Sequence, residues 1–181
     1  MRKFILCLSI SGVVFATAAR AATWQVGPSI GVDLTTRYGS YAGVIGAPLG
    51  ADLITGGLRP GLRVGAWDSH LRHELFLDTS FQMLSGSSVL WTTSNTLNYA
   101  YAFDSGPAWY ATAGGGFAIA SGNETDTRST LLYGLGFGRR HRLNHGHGSV
   151  RVEARYDGSE TRHAGHLTTL SLRLGWDLDL N

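Results

Sequence analysis

The stretch WQVGPSIGVDLT, Trp24 to Thr35, decides how this chain reads. Trp24, Val26, Pro28, Ile30, Val32 and Leu34 occupy every even position, and Gln25, Gly27, Ser29, Gly31, Asp33 and Thr35 occupy every odd one. Strand side chains alternate between two faces, so a period of two predicts a β-strand with one apolar and one polar side.

The same period returns seven times downstream. Leu58, Pro60, Leu62, Val64 and Ala66 oppose Arg59, Gly61, Arg63 and Gly65; His73 to Met83 oppose Glu74 to Gln82, with Phe76 an apolar exception on the polar side. Val89 to Phe103 oppose Thr92, Ser94, Thr96, Asn98, Ala100 and Ala102, and Trp109 to Ile119 oppose Tyr110, Thr112, Gly114, Gly116 and Ala118. Leu131 to Phe137 oppose Thr130, Gly134, Gly136 and Gly138; Val150 to Tyr156 oppose Arg151, Glu153 and Arg155; Leu170 to Leu180 oppose Thr169, Ser171, Arg173, Gly175 and Asp177. Eight strands of this length, in a chain with no apolar run approaching the roughly 20 residues of a membrane helix, fit a strand-built membrane domain rather than a helical one.

Residues 1–21 stand apart as an expected secretory leader: Arg2 and Lys3, an apolar run from Phe4 to Phe15, and the small-x-small site Ala19-Arg20-Ala21. Residues 22–181 form the expected barrel domain. Cys7 lies in the leader without the small residues that precede a lipidated cysteine, and no other cysteine exists to build a disulfide or thiolate metal site. The leader also carries Arg2, Lys3 and Arg20, so of 15 basic residues 12 remain, all arginine, against 13 acidic ones. A near-neutral chain offers no basic surface for nucleic acid.

Alternation alone does not separate a membrane barrel from a ligand-carrying barrel with its apolar side inward. The polar face separates them. It carries Asp33, Glu74, Asp78, Glu153 and Asp177 with Arg59, Arg63, Arg151, Arg155 and Arg173, interspersed with glycine, and a narrow eight-stranded lumen needs such small residues beside large ones. Balanced charges can hydrogen-bond one another there, whereas a lone buried charge is costly. The expected fold is therefore all-β, an eight-stranded antiparallel up-and-down transmembrane β-barrel, with those ten residues as its internal charge network. Trp24, Trp91, Trp109 and Trp176, with Tyr99, Tyr101 and Phe103, lie near strand ends, where aromatic girdles sit.

Short turns are expected at Asp68 to Arg72 and Asp104 to Pro107, and longer connections at Arg37 to Gly57, Ser121 to Arg128 and Gly158 to Gly165. Ser85 to Ser88 is short for an outer loop and Arg139 to Ser149 long for a turn. Pro60 is expected at the outer rim, and Pro28 at a bulge or broken ladder, because neither can donate to a neighbour. Tyr41 to Ile54, long and apolar for a loop, is expected to cover the mouth, extend the first hairpin or meet a partner.

At this point the chain resembles the OmpA-like and opacity-type small outer-membrane barrels. The resemblance is carried by YATAGGGFAIA at 110–120, YGLGFGRRHRL at 133–143 and VRVEARYD at 150–157. It implies a bacterial outer-membrane location, contact with outer-membrane lipid and lipopolysaccharide, passage through the outer-membrane assembly machinery, and a role in envelope structure, adhesion or surface recognition. Such barrels usually finish on an aromatic residue, whereas this chain finishes on Asn181, which weakens the assembly signal; Trp176 and Leu180 keep the apolar dyad.

Other motifs read more plainly. Gly134, Gly136 and Gly138, and Gly114-Gly115-Gly116, lack the following helix that a dinucleotide loop needs. His70, His73, His141, His145 and His147 gather at the periplasmic end and His163 and His166 at the other, so turn histidines are expected and no metal or cofactor. Asn123-Glu124-Thr125 is a polar loop tip. Ser159, Glu160 and His163 supply the residue types of a hydrolase in the last outer loop, which gives the alternative of a lipid A acyl hydrolase. The strand pattern of such enzymes, His and Ser two apart, is missing from RYDGSE. A wide pore needs about 16 strands, so a narrow channel is the other alternative. The leading expectation is a monomeric, non-enzymatic barrel acting through its outer loops on a surface ligand that the sequence does not name.

Overall fold

The computed structural model describes residues 23–38, 52–68, 70, 72–84, 90–103, 108–122, 125–143, 147–161 and 165–180. Eight strands follow in chain order: β1 (Thr23–Tyr38), β2 (Asp52–Trp67), β3 (His73–Leu84), β4 (Leu90–Ala102), β5 (Trp109–Gly122), β6 (Thr125–Arg142), β7 (Gly148–Thr161) and β8 (Gly165–Asp179). Each pairs antiparallel with the next, and β8 returns to β1, closing an up-and-down barrel. Closure satisfies the backbone without leaving an edge strand. Both ends of the barrel domain lie at one end of the cylinder, called here the terminal end; the turns after β2, β4 and β6 share it.

The faces are inverted relative to a water-soluble domain. Twenty-five large apolar side chains among the described residues are exposed, including Leu131 at 76%, Leu135 at 63% and Leu172 at 59%. Inside lie six arginines (59, 63, 140, 151, 155, 173) and six carboxyl side chains (Asp33, Glu74, Asp78, Glu153, Asp157, Asp177), all buried. A monomer in water rarely exposes more than a few hundred Å² of contiguous apolar surface, so a wall of this kind requires an apolar solvent.

The interior has an apolar floor near the terminal end. Trp67, Phe76 and Tyr110 are almost fully buried, and Ala100, Ala102 and Ala108 give them room. Phe76, the exception in the alternation, is thus a packing residue of the lumen. Two arginines cap these rings: the Arg63 guanidinium stands 3.3 Å from the Phe76 centroid and that of Arg140 3.6 Å from the Trp67 centroid. Each cation meets a π-face where water is excluded.

Pro28 sits at the expected interruption. The β1–β8 register passes from Val26↔Leu178 to Ser29↔Gly175 and skips Gly27 and Pro28, while the β1–β2 register runs through both. A Cβ at Gly27 would collide with the Trp176 carbonyl, so glycine permits the close approach of β8 there. Pro60 departs from expectation. It lies inside β2 rather than at the rim, paired with Ile30, and the β2–β3 ladder begins at Gly61, one residue beyond it. The imide lacks a donor where β3 has already parted from β2.

Several connections are shorter than the sequence implied, because pairing continues past the apolar alternation. β1 and β2 extend to Tyr38 and Asp52, leaving 39–51 outside the described residues; most of Tyr41 to Ile54 falls there. β5 reaches Gly122 and β6 begins at Thr125, so the connection drawn at Ser121 to Arg128 shrinks to 123–124. The one drawn at Gly158 to Gly165 shrinks to 162–164, and that at Arg139 to Ser149 to 143–147. Segments 85–89 and 104–107 lie outside the described residues. Polar hairpin ends keep their hydrogen bonds without an apolar face, which is why hydropathy does not mark them.

Candidate functional site

The lumen gathers all ten charged residues singled out from the sequence, in two linked groups. Toward the terminal end, Arg63 forms a two-pronged pair with Glu74, its Nε donating to Oε1 at 3.1 Å, and Nη1 lies 3.9 Å from Glu153. Arg151 Nε donates to Asp177 at 2.8 Å, and the Tyr110 hydroxyl donates to Glu153 at 2.9 Å.

Toward the far end Asp157 is the hub. It accepts from Arg155 Nε at 2.6 Å, Arg173 Nη2 at 2.9 Å and Arg59 Nη1 at 3.2 Å. The second prong of Arg173 reaches Asp78 at 2.7 Å, and Arg59 Nη1 lies 3.5 Å from Asp33. Neutral groups add to the arginine forks: Ser80 and Ser94 accept from Arg59 at 2.9 and 3.0 Å, and Asn98 accepts from Arg155 at 2.7 Å. Arg155 also lies 3.7 Å from Glu153, joining the two groups.

These contacts tie β1, β2, β3, β4, β7 and β8 across the cylinder, beyond the nearest-neighbour ladders. Planar guanidinium groups suit the role because one fork can bridge two acceptors. Glycine makes it spatially possible: a Cβ at Gly175 would lie 2.7 Å from Arg151 Nε.

Asp157 and Arg140 belong to this interior although the sequence did not mark them as its members, and Tyr110, on the inward face by parity, joins the charge network through Glu153. Asp157 continues the odd-numbered face of Arg151, Glu153 and Arg155, and was lost by ending the strand at Tyr156. Arg140 fell in an assumed turn. The RRHR run instead splits by alternation, with Arg140 inward and Arg139 and His141 exposed. Arg142 pairs with Asp179 at 2.8 Å.

The candidate hydrolase residues are placed differently from expectation. Ser159 and Glu160 lie in β7 rather than in a loop, and Ser159 is buried. His163 lies outside the described residues, as does the Glu160 side chain. Of the histidines, His70, His73, His141 and His147 are exposed; His145 is outside the described residues, and so is the His166 side chain. His73 Nδ1 lies 2.6 Å from the Tyr99 hydroxyl. No group of three or more metal-ligating side chains occurs among the described residues.

At the terminal end the β2–β3 turn is pinned by Asp68, whose Oδ1 accepts from the backbone amides of Arg72 at 2.7 Å and His73 at 3.0 Å. Partial burial alone raises its pKa, but those two amides, together with the neighbouring imidazoles of His73 and His70, outweigh it and hold the carboxyl below its ordinary value.

No family model and no curated protein sequence matches this chain. Solved structures do match in shape. Neisserial surface protein A superposes with a TM-score of 0.72 at 14% identity, over 89% of this chain and 100% of that one. Ail, the attachment invasion locus protein of Yersinia pestis, superposes at 0.50 with 17% identity, over 86% of this chain and 99% of that one. The same protein in complex with the heparin analogue sucrose octasulfate superposes at 0.53 and 15% identity, with the same coverage. At these identities the likeness is one of fold: a small closed barrel.

Proposed function

We propose that this chain is a monomeric, non-enzymatic barrel of the bacterial outer membrane that acts in surface interaction through the connections at its far end. The sidedness of the wall carries the reading. Outward positions of β5 run Trp109, Ala111, Ala113, Gly115, Phe117, Ile119, all apolar or glycine. Ten residues of strand tilted by about 40° rise roughly 25 Å, the height of the apolar band in outer-membrane barrels. Aromatic side chains collect at the terminal end of this band: Trp109 stacks on Phe137 at 5.2 Å, and Tyr101 meets Phe103 edge-on at 5.7 Å.

With cross-linked charges and an aromatic floor inside, specificity is left to the far-end connections, of which 39–51 is the longest. Ail, an attachment invasion locus protein, supports the same direction by analogy of fold. Burial of Ser159 favours a non-enzymatic barrel over an acyl hydrolase. Expected partners are outer-membrane phospholipid, lipopolysaccharide and the assembly machinery.

The test is made on whole cells. Heat-modifiable migration of the outer-membrane fraction should report a folded barrel. Binding of the expressing cells to epithelial monolayers should fall when 39–51 is replaced by a Gly-Ser linker that leaves heat modifiability intact. Recovery in the soluble periplasm, or binding indifferent to that replacement, would overturn the proposal.

A further inference from the structure

Arg139 and His141 are two apart on β6 and exposed on the outer wall at the terminal end. Register sets Arg139 beside Trp109 of β5, and its guanidinium stands 5.7 Å from the Trp109 ring. On the other side His141 faces Val150, which in turn faces Trp176 of β8. A cation and a ring donor therefore sit between two tryptophans, at the level where interfacial aromatics mark the headgroup region.

Among the described residues, no ion pair supplies a counter-charge to Arg139. Among the described residues, Asp33, Glu74, Asp78, Glu153, Asp157 and Asp177 are buried in the lumen. Asp179 is held by Arg142 and Gln25, and Asp68 by two backbone amides. No described carboxylate forms an ion pair with Arg139, although six other arginines of the chain are paired or capped inside. An exposed guanidinium steadied on an indole face, with a second donor one strand step away, presents a fork for phosphate oxygens.

We infer that Arg139 and His141, framed by Trp109 and Trp176, bind the phosphate of an anionic phospholipid in the leaflet at the terminal end of the barrel. The lipid chains lie against the apolar wall above, beside Phe137, Val152 and Leu174. The inference rests on the membrane reading proposed above. It adds a defined lipid site where that reading requires only general apolar contact.

The experiment reconstitutes the purified barrel in nanodiscs of phosphatidylcholine containing a minority of phosphatidylglycerol, releases it gently, and counts retained phosphatidylglycerol by native mass spectrometry. Wild type should retain it in preference to phosphatidylcholine. A basic residue near a membrane surface is worth a free energy equivalent to about fivefold in binding, so Arg139→Gln should lower retention about fivefold. Adding His141→Gln should lower it further. Arg72→Gln, which removes an equal charge from the exposed β2–β3 turn, should leave retention at the wild-type level. Equal retention by wild type and Arg139→Gln, an equal fall in Arg72→Gln, or displacement by millimolar inorganic phosphate would overturn the site. Heat modifiability of the same samples separates the two claims, because a barrel that inserts normally but shows no preference refutes the lipid site alone. Failure to insert refutes both.

Discussion

Replacing Asp157 with Asn removes the charge on which three arginines converge while keeping the shape of the side chain. Breaking a buried ion pair from one side costs about 3–5 kcal/mol, because the partner is left uncompensated. The surroundings place Asp157→Asn near the lower bound. Arg173 keeps Asp78 at 2.7 Å, Arg59 keeps Asp33 at 3.5 Å and Arg155 keeps Glu153 at 3.7 Å, so each cation retains one carboxylate. Both partners in each Asp157 pair are at most 7% exposed at the side chain, so solvent screening does not dilute the effect. A loss of about 3 kcal/mol is expected. Urea titration of the barrel in lipid vesicles, followed in both directions by tryptophan fluorescence and by gel mobility, measures it. Combining Asp157→Asn with Arg173→Met should cost less than the sum of the single losses, since both disturb one network. A loss below about 1 kcal/mol, the range of solvated surface pairs, would refute the reasoning and mean that water screens the hub.

Two further outcomes follow from the same geometry. Gly116→Ala drives a methyl into the Asn95 carbonyl of β4, whereas at Gly115 the nearest atom, Leu132 O, is 3.3 Å away. Gly116→Ala should therefore lose about 1–3 kcal/mol in the same titration, as overpacked sites do, and Gly115→Ala much less. At the β2–β3 turn, the depressed pKa of Asp68 means that its stabilisation is present above the unfolded carboxylate pKa and is lost as pH falls through the folded one. Amide exchange at Arg72 and His73, corrected for intrinsic rates, should lose protection on acidification in wild type. In Asp68→Ala protection should be low and indifferent to pH.

The barrel was legible because alternation is a local signal that survives strand by strand, and the polar face fixed which side is inward. What alternation could not reveal depended on tertiary context. Thr125 to Thr130 carries no apolar period, yet backbone pairing with β5 makes it strand, so β6 starts six residues before Leu131. Trp67, Phe76 and Tyr110 lie on the polar face by parity. Only the neighbouring Ala100, Ala102 and Ala108 show that the lumen is wide enough there for rings. The charged positions could be enumerated from parity, but not their partners. Arg63 is opposite Asp78 in the register and nevertheless binds Glu74, while Arg173 crosses to Asp78. Long side chains choose acceptors across the cylinder, and sequence spacing does not encode that choice.

Residues 22–181 contain no cysteine, so single labels can be introduced there without background. Spin labels placed in turn at 170, 171, 172, 173 and 174 of β8 in lipid vesicles measure sidedness residue by residue, through collision with membrane-dissolved oxygen and with a water-soluble nickel chelate. Labels at the even positions should collide freely with oxygen and scarcely with the chelate, while those at 171 and 173 are shielded from oxygen. Even-numbered labels that meet the aqueous chelate instead would contradict a wall facing lipid.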